Sequence, residues 1–181
     1  MDAITCIKER RSIRKFEEKS IPHDVMKEIV EIASYSPSWK NTQIVRYLVV
    51  EDKEKMQKIA QDCVLGFEYN TKTMKNAAAL VLVNMVKGRC GYEKDGSFST
   101  PKGDRWEMFD AGIATQTFCL AAYEKGIGSV VIGVFDEGEV EKVVSIPEGQ
   151  QLAAIIAVGY PAGNTPEMPK RKSVEDLLSY L

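Results

Sequence analysis

A chain of 181 residues with 44% hydrophobic and 28% charged side chains is sized and composed for one compact domain with a real core. Its formal net charge of −2 supplies no overall basic field for nucleic acid or an anionic membrane, so any grip on a phosphate must come from local basic clusters. The four cysteines, Cys6, Cys63, Cys90 and Cys119, include no C-x-x-C pair, and the single His23 lies far from them in sequence, which excludes the paired-ligand spacing of a zinc site.

Scattered thiols, no apolar run of bilayer length and no signal-like stretch after Met1 lead to the expectation of a cytoplasmic protein without a metal, a nucleic-acid partner or a membrane anchor. From the N-terminus, Ile4 and Ile7 suit a short helix over 2–8. Ser20 and Pro22 then open a clearer one, with Val25, Met26, Ile29, Val30 and Ala33 along one face until Ser36-Pro37. Ile44–Val50 reads as a strand. Asp52 begins a helix carrying Met56, Ile59, Ala60, Cys63 and Val64, with Gly66 past its end. Ala77–Val86 is almost continuously apolar, as a strand buried on both faces requires.

Lys87–Asp104 carries four glycines, a proline and several charges, an irregular excursion long enough to act as a lid or binding loop. The helix expected over Arg105–Lys125 is apolar nearly all round, from Trp106 and Phe109 through Ile113 and Phe118 to Tyr123. Such a helix has to be buried on more than one side, in the core and at a subunit interface. Ser129–Phe135 forms a further strand, Asp136 opens a short charged helix, and Leu152–Val158 is the last strand. Val174–Leu181 is expected to dock as a short helix. This order of helices and strands indicates an α+β or α/β sandwich.

Nucleophilic and acid–base machinery is hard to find. There is no G-x-S-x-G elbow, no Walker A sequence and no G-x-G-x-x-G after the first strand, and His23 reads as a solvated surface residue. The reactive group is therefore expected to belong to a bound cofactor. Arg10-Arg11-Ser12-Ile13-Arg14 could grip a phosphomonoester, because guanidinium forks match phosphate oxygens and a serine adds a short donor. The same run serves equally as a solvated basic turn. Ser36–Gln43 is dense in hydroxyl and amide groups. A plain loop accounts for its serines and proline, and accounts less well for Asn41 with Gln43.

R-R-S-I-R-x-F followed some twenty-five residues later by P-S-x-x-N-x-Q resembles the nitroreductase family. Asp110–Gln116 is similar to that family's long dimerisation helix, Gly126–Ser129 and Ile132-Gly133 to its G-x-G turn and flavin-facing strand end, and Gly159-Tyr160-Pro161 with Arg171-Lys172 to its closing strand and basic tail. The resemblance covers most of the chain in the right order. It implies an α+β three-layer sandwich over 1–181, a mostly antiparallel sheet flanked by helices, an intertwined homodimer, and a lid at 87–104.

It also implies an oxidoreductase that passes hydride from NADH or NADPH through FMN to a nitroaromatic, quinone or similar electron-poor acceptor. The FMN sites would lie at the dimer interface. Carried over by motif, Arg10, Ser12 and Arg171 hold the phosphate and ribityl end, with Arg11 beside them in no assigned role. Arg14 sits at the pyrimidine edge, where it stabilises the anion of reduced flavin. Pro37, Ser38 and Asn41 reach across from the partner subunit, backbone at Ile132 and Gly133 approaches the N5 side, and Asn70 and Lys72 add contacts to the ring edge. Trp39 stands where the family commonly has a small residue and would narrow or cover the site. The alternatives are a flavin-binding redox sensor, or a same-fold enzyme that dehalogenates, cleaves flavin or dehydrogenates a ring.

Overall fold

A computed structural model describes residues 2–181. Its frame is one sheet of four strands, β1 (Val45–Val50), β2 (Ala79–Val86), β3 (Gly128–Ile132) and β4 (Gln150–Gly159), in the spatial order β1-β2-β4-β3. Every neighbouring pair is antiparallel. The apolar run of β2 places it inside the sheet, where seven of its eight residues are buried. Alternate side chains then serve two different cores. Leu80 and Leu82 point to one face, Val81 and Val83 to the other.

On the first face lie α3 (Lys53–Asp62), α4 (Glu68–Lys75) and α6 (Glu137–Val143), contributing Met56, Ile59, Met74 and Val140. On the second lie α2 (His23–Ser34) and α5 (Arg105–Glu124), contributing Ile29, Ala33, Phe118 and Ala122. The expected α+β three-layer sandwich is what forms. Asp2 caps α1 (Ala3–Glu9) by accepting from the Ile4 and Thr5 amides, and Asp52 and Asp136 cap α3 and α6 in the same way.

Two elements differ from the sequence expectation. Helix α4 was not foreseen, because only Thr73 and Met74 of its eight residues are buried and no apolar stripe marks it. The C-terminal helix expected at 174–181 is absent; a single turn, with the Leu177 and Leu178 amides donating to the Val174 carbonyl, stands in its place. Eight residues make a marginal helix without a surface to pack on, and Val174, Leu177 and Tyr180 find none in their own protomer. Helix α5 likewise meets only half of its expected double burial. Phe118, Ala121 and Ala122 enter the core, while Met108 and Phe109 stand 50% and 58% exposed.

The chain after α1 does not wander off the sheet. Ser12 forms a parallel bridge to Ser129, the Ile13 amide donates to the Ser129 carbonyl at 3.0 Å, Phe16 bridges Pro161, and the Glu17 amide donates to Tyr160 at 2.9 Å. The side chains of Ile13 and Phe16 thereby cross the ends of β3 and β4 over bare glycines. A Cβ on Gly128 would lie 2.8 Å from Ile13 Cβ, and one on Gly159 would lie 2.8 Å from the Phe16 ring. Gly128→Ala should accordingly cost about 1–3 kcal/mol in chemical denaturation. Gly138→Ala, in α6 with only the Asp136 carboxylate at 3.4 Å, should be neutral or slightly stabilising.

Candidate functional site

The crossing over Gly128 and Gly159 aims the basic run. Arg10, Arg11, Ser12 and Arg14 line one cavity of about 330 Å³, and Arg171 reaches it from the C-terminal tail together with Pro166, Glu167 and Pro169. Residues about 160 positions apart are thus brought to one place. Arg11 is engaged locally, its Nη1 donating to the Lys8 carbonyl at 2.6 Å and to the Arg10 carbonyl at 2.9 Å, which closes the end of α1. No arginine forms an ion pair among the described residues, and the buried Nε atoms of Arg10 and Arg11 have no partner. A guanidinium cluster with one carboxylate on its rim is poised for an anion.

From the cavity lining, Arg14 reaches α4. The Arg14 guanidinium lies 5.4 Å from the centre of the Tyr69 ring, and Asn70 Nδ2 donates to the Val134 carbonyl at 3.5 Å. Ile132 is buried among core residues, so β3 offers its backbone and not that side chain. A Cβ built on Gly133 meets nothing within 4 Å, which leaves the backbone there open to approach. Lys72, one turn further along α4, pairs with Glu68 at 3.6 Å in solvent. Tyr69 was missed in the sequence; its only signal was an aromatic beside Asn70 on an unassigned helix.

The second group of expected residues lies elsewhere in the protomer. Pro37 and Ser38 line a different, largely apolar cleft of about 380 Å³ between α2, β1 and α5. The loop that carries them is backbone-strained: Lys40, Asn41 and Gln43 have φ of 45°, 55° and 48°. A left-handed conformation costs a non-glycine residue about 1–2 kcal/mol, least for Asn. The loop is held there by the Gln43 amide donating to Ser38 Oγ at 3.1 Å, by Gln43 Nε2 donating to Asn41 Oδ1 at 3.1 Å, and by Arg46 donating to the Gln43 carbonyl at 2.8 Å. Trp39 is half-buried, its ring centre 4.9 Å from that of Trp106.

Two buried carboxylates on α5, each 4% exposed, fix this loop and the irregular segment 87–104. Asp110 Oδ2 accepts from the Trp39 amide at 2.9 Å and from the Cys90 thiol at 3.1 Å. Glu107 Oε1 accepts from the Gly88 amide at 2.6 Å. Outside, Lys40 Nζ reaches Glu93 at 2.8 Å, and the Ser99 hydroxyl donates to the same Glu93 oxygen at 2.5 Å. Burial pushes the Cys90 thiol well above its ordinary value, reinforced by its bond to Asp110, so it is a structural donor and not a nucleophile. Burial also raises the Glu107 carboxyl, against the lowering effect of the Gly88 and Arg89 amides. Neither carboxylate was picked out in the sequence, although an acidic pair three residues apart on an otherwise apolar helix was the available sign.

No group of three or more His, Cys, Asp or Glu among the described residues could hold a metal ion, and no helix there is long and apolar enough to cross a membrane. The family model described as "Nitroreductase family" matches residues 7–73 and 65–160. A relative from Methanothermobacter thermautotrophicus, named provisionally as NADH dehydrogenase/NAD(P)H nitroreductase, is 31% identical over 168 residues, 91% of this chain and 80% of its own. An iodotyrosine deiodinase from Thermotoga neapolitana is 28% identical over 176 residues, 92% of both chains. Among solved structures, oxidised iodotyrosine deiodinase bound to FMN and 3-iodo-L-tyrosine superposes with a TM-score of 0.74 at 26% identity, covering 94% of this chain and 95% of that one.

Two outcomes are expected of the α5 carboxylates. Asp110→Ala leaves the Trp39 amide without its acceptor and should lower stability by about 1–3 kcal/mol, with a shift in emission from the adjacent Trp39 and Trp106. For Glu107 the raised value means that the folded chain binds more protons than the unfolded one above the ordinary pKa of 4.5. Its contribution is full below that value and is lost as pH rises through the folded one. Glu107→Gln should therefore flatten the fall of the denaturation midpoint as pH rises above about 4.5, while Gln still accepts from Gly88.

Proposed function

The chain belongs to the nitroreductase family and is an FMN-dependent oxidoreductase reduced by NAD(P)H, and from that premise we propose a homodimer that reduces nitroaromatic, quinone or similar electron-poor acceptors. The convergence of Arg10, Ser12, Arg14 and Arg171 on one cavity carries this reading. The residues fit the cofactor: the guanidinium groups lack carboxylate partners, and the backbone at Gly133 is open. Arg10, Ser12 and Arg171 hold the phosphate and ribityl end. Arg14, steadied on the Tyr69 ring, faces the pyrimidine edge, where a fixed positive charge favours an anion. Asn70, tied to Val134, borders the ring edge with the backbone of Ile132 and Gly133. Lys72, paired with Glu68, has no part in this reading.

Bound FMN supplies hydride transfer in two halves, taken from the nicotinamide and given to the acceptor. The chain's own task is to bind, orient and exclude water. Pro37, Ser38, Trp39 and Asn41 would line the partner's flavin, a reading supported by Pro37 and Ser38 lying in a cleft of their own protomer separate from the arginine cavity. Exposed Met108 and Phe109 on α5, exposed Leu177 and Tyr180 in the tail, and the unpaired edge of β1 support an intertwined dimer. Four free thiols support the cytoplasm as its compartment. The similarity to iodotyrosine deiodinases over nearly the whole chain supports a second reading, reductive dehalogenation at the same flavin.

The purified protein should bind FMN, show flavin absorption near ~450 nm and bleach with NAD(P)H under anaerobic conditions. Arg10→Ala and Arg171→Ala should each weaken FMN binding by about 10- to 100-fold, the worth of a charge-assisted hydrogen bond, and Ser12→Ala by less. Unchanged affinity in both arginine variants would remove the clamp.

A further inference from the structure

Arg14 is held by two groups that carry no charge. Its guanidinium lies 5.4 Å from the centre of the Tyr69 ring, and its Nη1 donates to the Ser12 carbonyl at 3.3 Å. Glu68, the neighbour of Tyr69 on α4, pairs with Lys72 at 3.6 Å and not with Arg14. Among the described residues no carboxylate pairs with Arg14 at all. A carboxylate would fix the guanidinium as firmly as a ring face does, and it would also cancel most of its field. A π face fixes the cation through the ring quadrupole and leaves its charge free to act on a third group.

The backbone before α4 is strained in a way that sets the place of this ring. Cys63 and Val64 are fully buried, whereas Leu65, 67% exposed, adopts a left-handed φ of 52° and Gly66 one of 73°. For a bulky residue that conformation is costly and persists only where the surroundings over-determine it. Three bonds do so here. The Asp136 amide donates to the Cys63 carbonyl at 2.7 Å, the Phe67 amide to the Val64 carbonyl at 2.9 Å, and Asn70 Nδ2 to the Val134 carbonyl. With Met74 seated in the core near the other end of α4, the reversal at 65–66 fixes where the helix begins and so where Tyr69 stands. Phe67 braces the ring from the side, its centre 6.3 Å away at 60°. Tyr69 itself is 57% exposed, so it is not there to complete the core.

We propose that Tyr69 is a positioning residue for the flavin potential: it holds Arg14, uncompensated, at the pyrimidine edge and so favours reduced over oxidised FMN. This rests on the FMN reading above. When NAD(P)H reduces the bound flavin, a C–H bond of the nicotinamide breaks, two electrons and one proton pass to the flavin, and NAD(P)+ leaves. The neutral ring system gains one negative charge. A cation already in place stabilises that charge without reorganising, whereas an untethered exposed arginine would spend its time in water. Tyr69 acts through Arg14 and by its ring face, so its hydroxyl has no part.

Midpoint potentials of the FMN-loaded protein, titrated against reference dyes under anaerobic conditions, test this without turnover. Tyr69→Leu should lower the ratio of reduced to oxidised FMN affinity by about 10-fold, which is about 30 mV for a two-electron couple. Tyr69→Phe keeps the ring and should leave the potential at the wild-type value. Tyr69→Glu holds the guanidinium but neutralises it, and should fall at least as far as Tyr69→Leu. An unchanged potential in Tyr69→Leu or Tyr69→Glu, or an equal fall in Tyr69→Phe, overturns the proposal. The double variant Arg14→Gln/Tyr69→Leu should match Arg14→Gln, because the ring acts only through the guanidinium. A further fall on adding Tyr69→Leu to Arg14→Gln means that the ring acts on the flavin directly, and overturns it too. If wild type binds no FMN, or Arg14→Gln leaves the potential unchanged, the functional reading of Arg14 fails and takes this one with it. A lowered potential in Arg14→Gln beside a wild-type value in Tyr69→Leu sinks the positioning role alone.

Discussion

The approach of Ile13 and Phe16 to Gly128 and Gly159 is the contact on which the arrangement of the site depends. A polar N-terminal run has little reason of its own to lie flat on a sheet. Here two large apolar side chains are buried where two strands have none, and the backbone joins the ladder on either side, at Ser129 and at Tyr160. Anchoring on both sides of Arg14 removes most of the freedom of the run, so the guanidinium groups are brought together before any anion arrives. That prior ordering is what lets a cluster of like charges persist without carboxylate partners: the helix end, through Arg11, and the sheet hold it together.

A second constraint operates at the far corner, and it is electrostatic. Loop 38–43 and segment 87–104 have almost no regular structure to satisfy their amides. Asp110 and Glu107, one turn apart and sheltered from water, accept several of those donors. In a low-dielectric setting each bond is strong and each loss costly, so two irregular segments can be as firmly placed as a strand. The left-handed residues 40, 41 and 43 persist because these bonds, the Lys40–Glu93 pair and the Trp39–Trp106 contact over-determine the path.

The sequence made the sheet and the large helices legible, because their signals are local. The almost continuous apolar run of β2 and the stripe of α2 each state their burial directly. The arginine run and the Ser–Asn–Gln loop were visible as residue types, but their separation into two clefts is tertiary and leaves no periodicity to read. Helix α4 was illegible because a helix with two buried residues lacks a stripe, and Tyr69 went with it. The tail was misjudged for a related reason. Val174, Leu177 and Leu178 are apolar enough to suggest a docked helix, but the protomer leaves all three exposed. For α5, composition alone indicated two-sided burial, and the protomer supplies one side.

The bare face of α5 and the division of the site are two aspects of one fact. A chain of 181 residues can carry one sheet with a helical layer on each face, and this one uses most of its helices to cover the sheet. Beside these layers the described residues form an arginine-lined cavity, a segment carrying the Tyr92–Phe98 ring pair, and an exposed apolar face on α5. In the homodimer proposed above, a two-fold axis would relate the same patch on each copy and bury the exposed face of α5 against itself. On this view the apolar surface of α5 is retained because burying it is the same event as completing two sites.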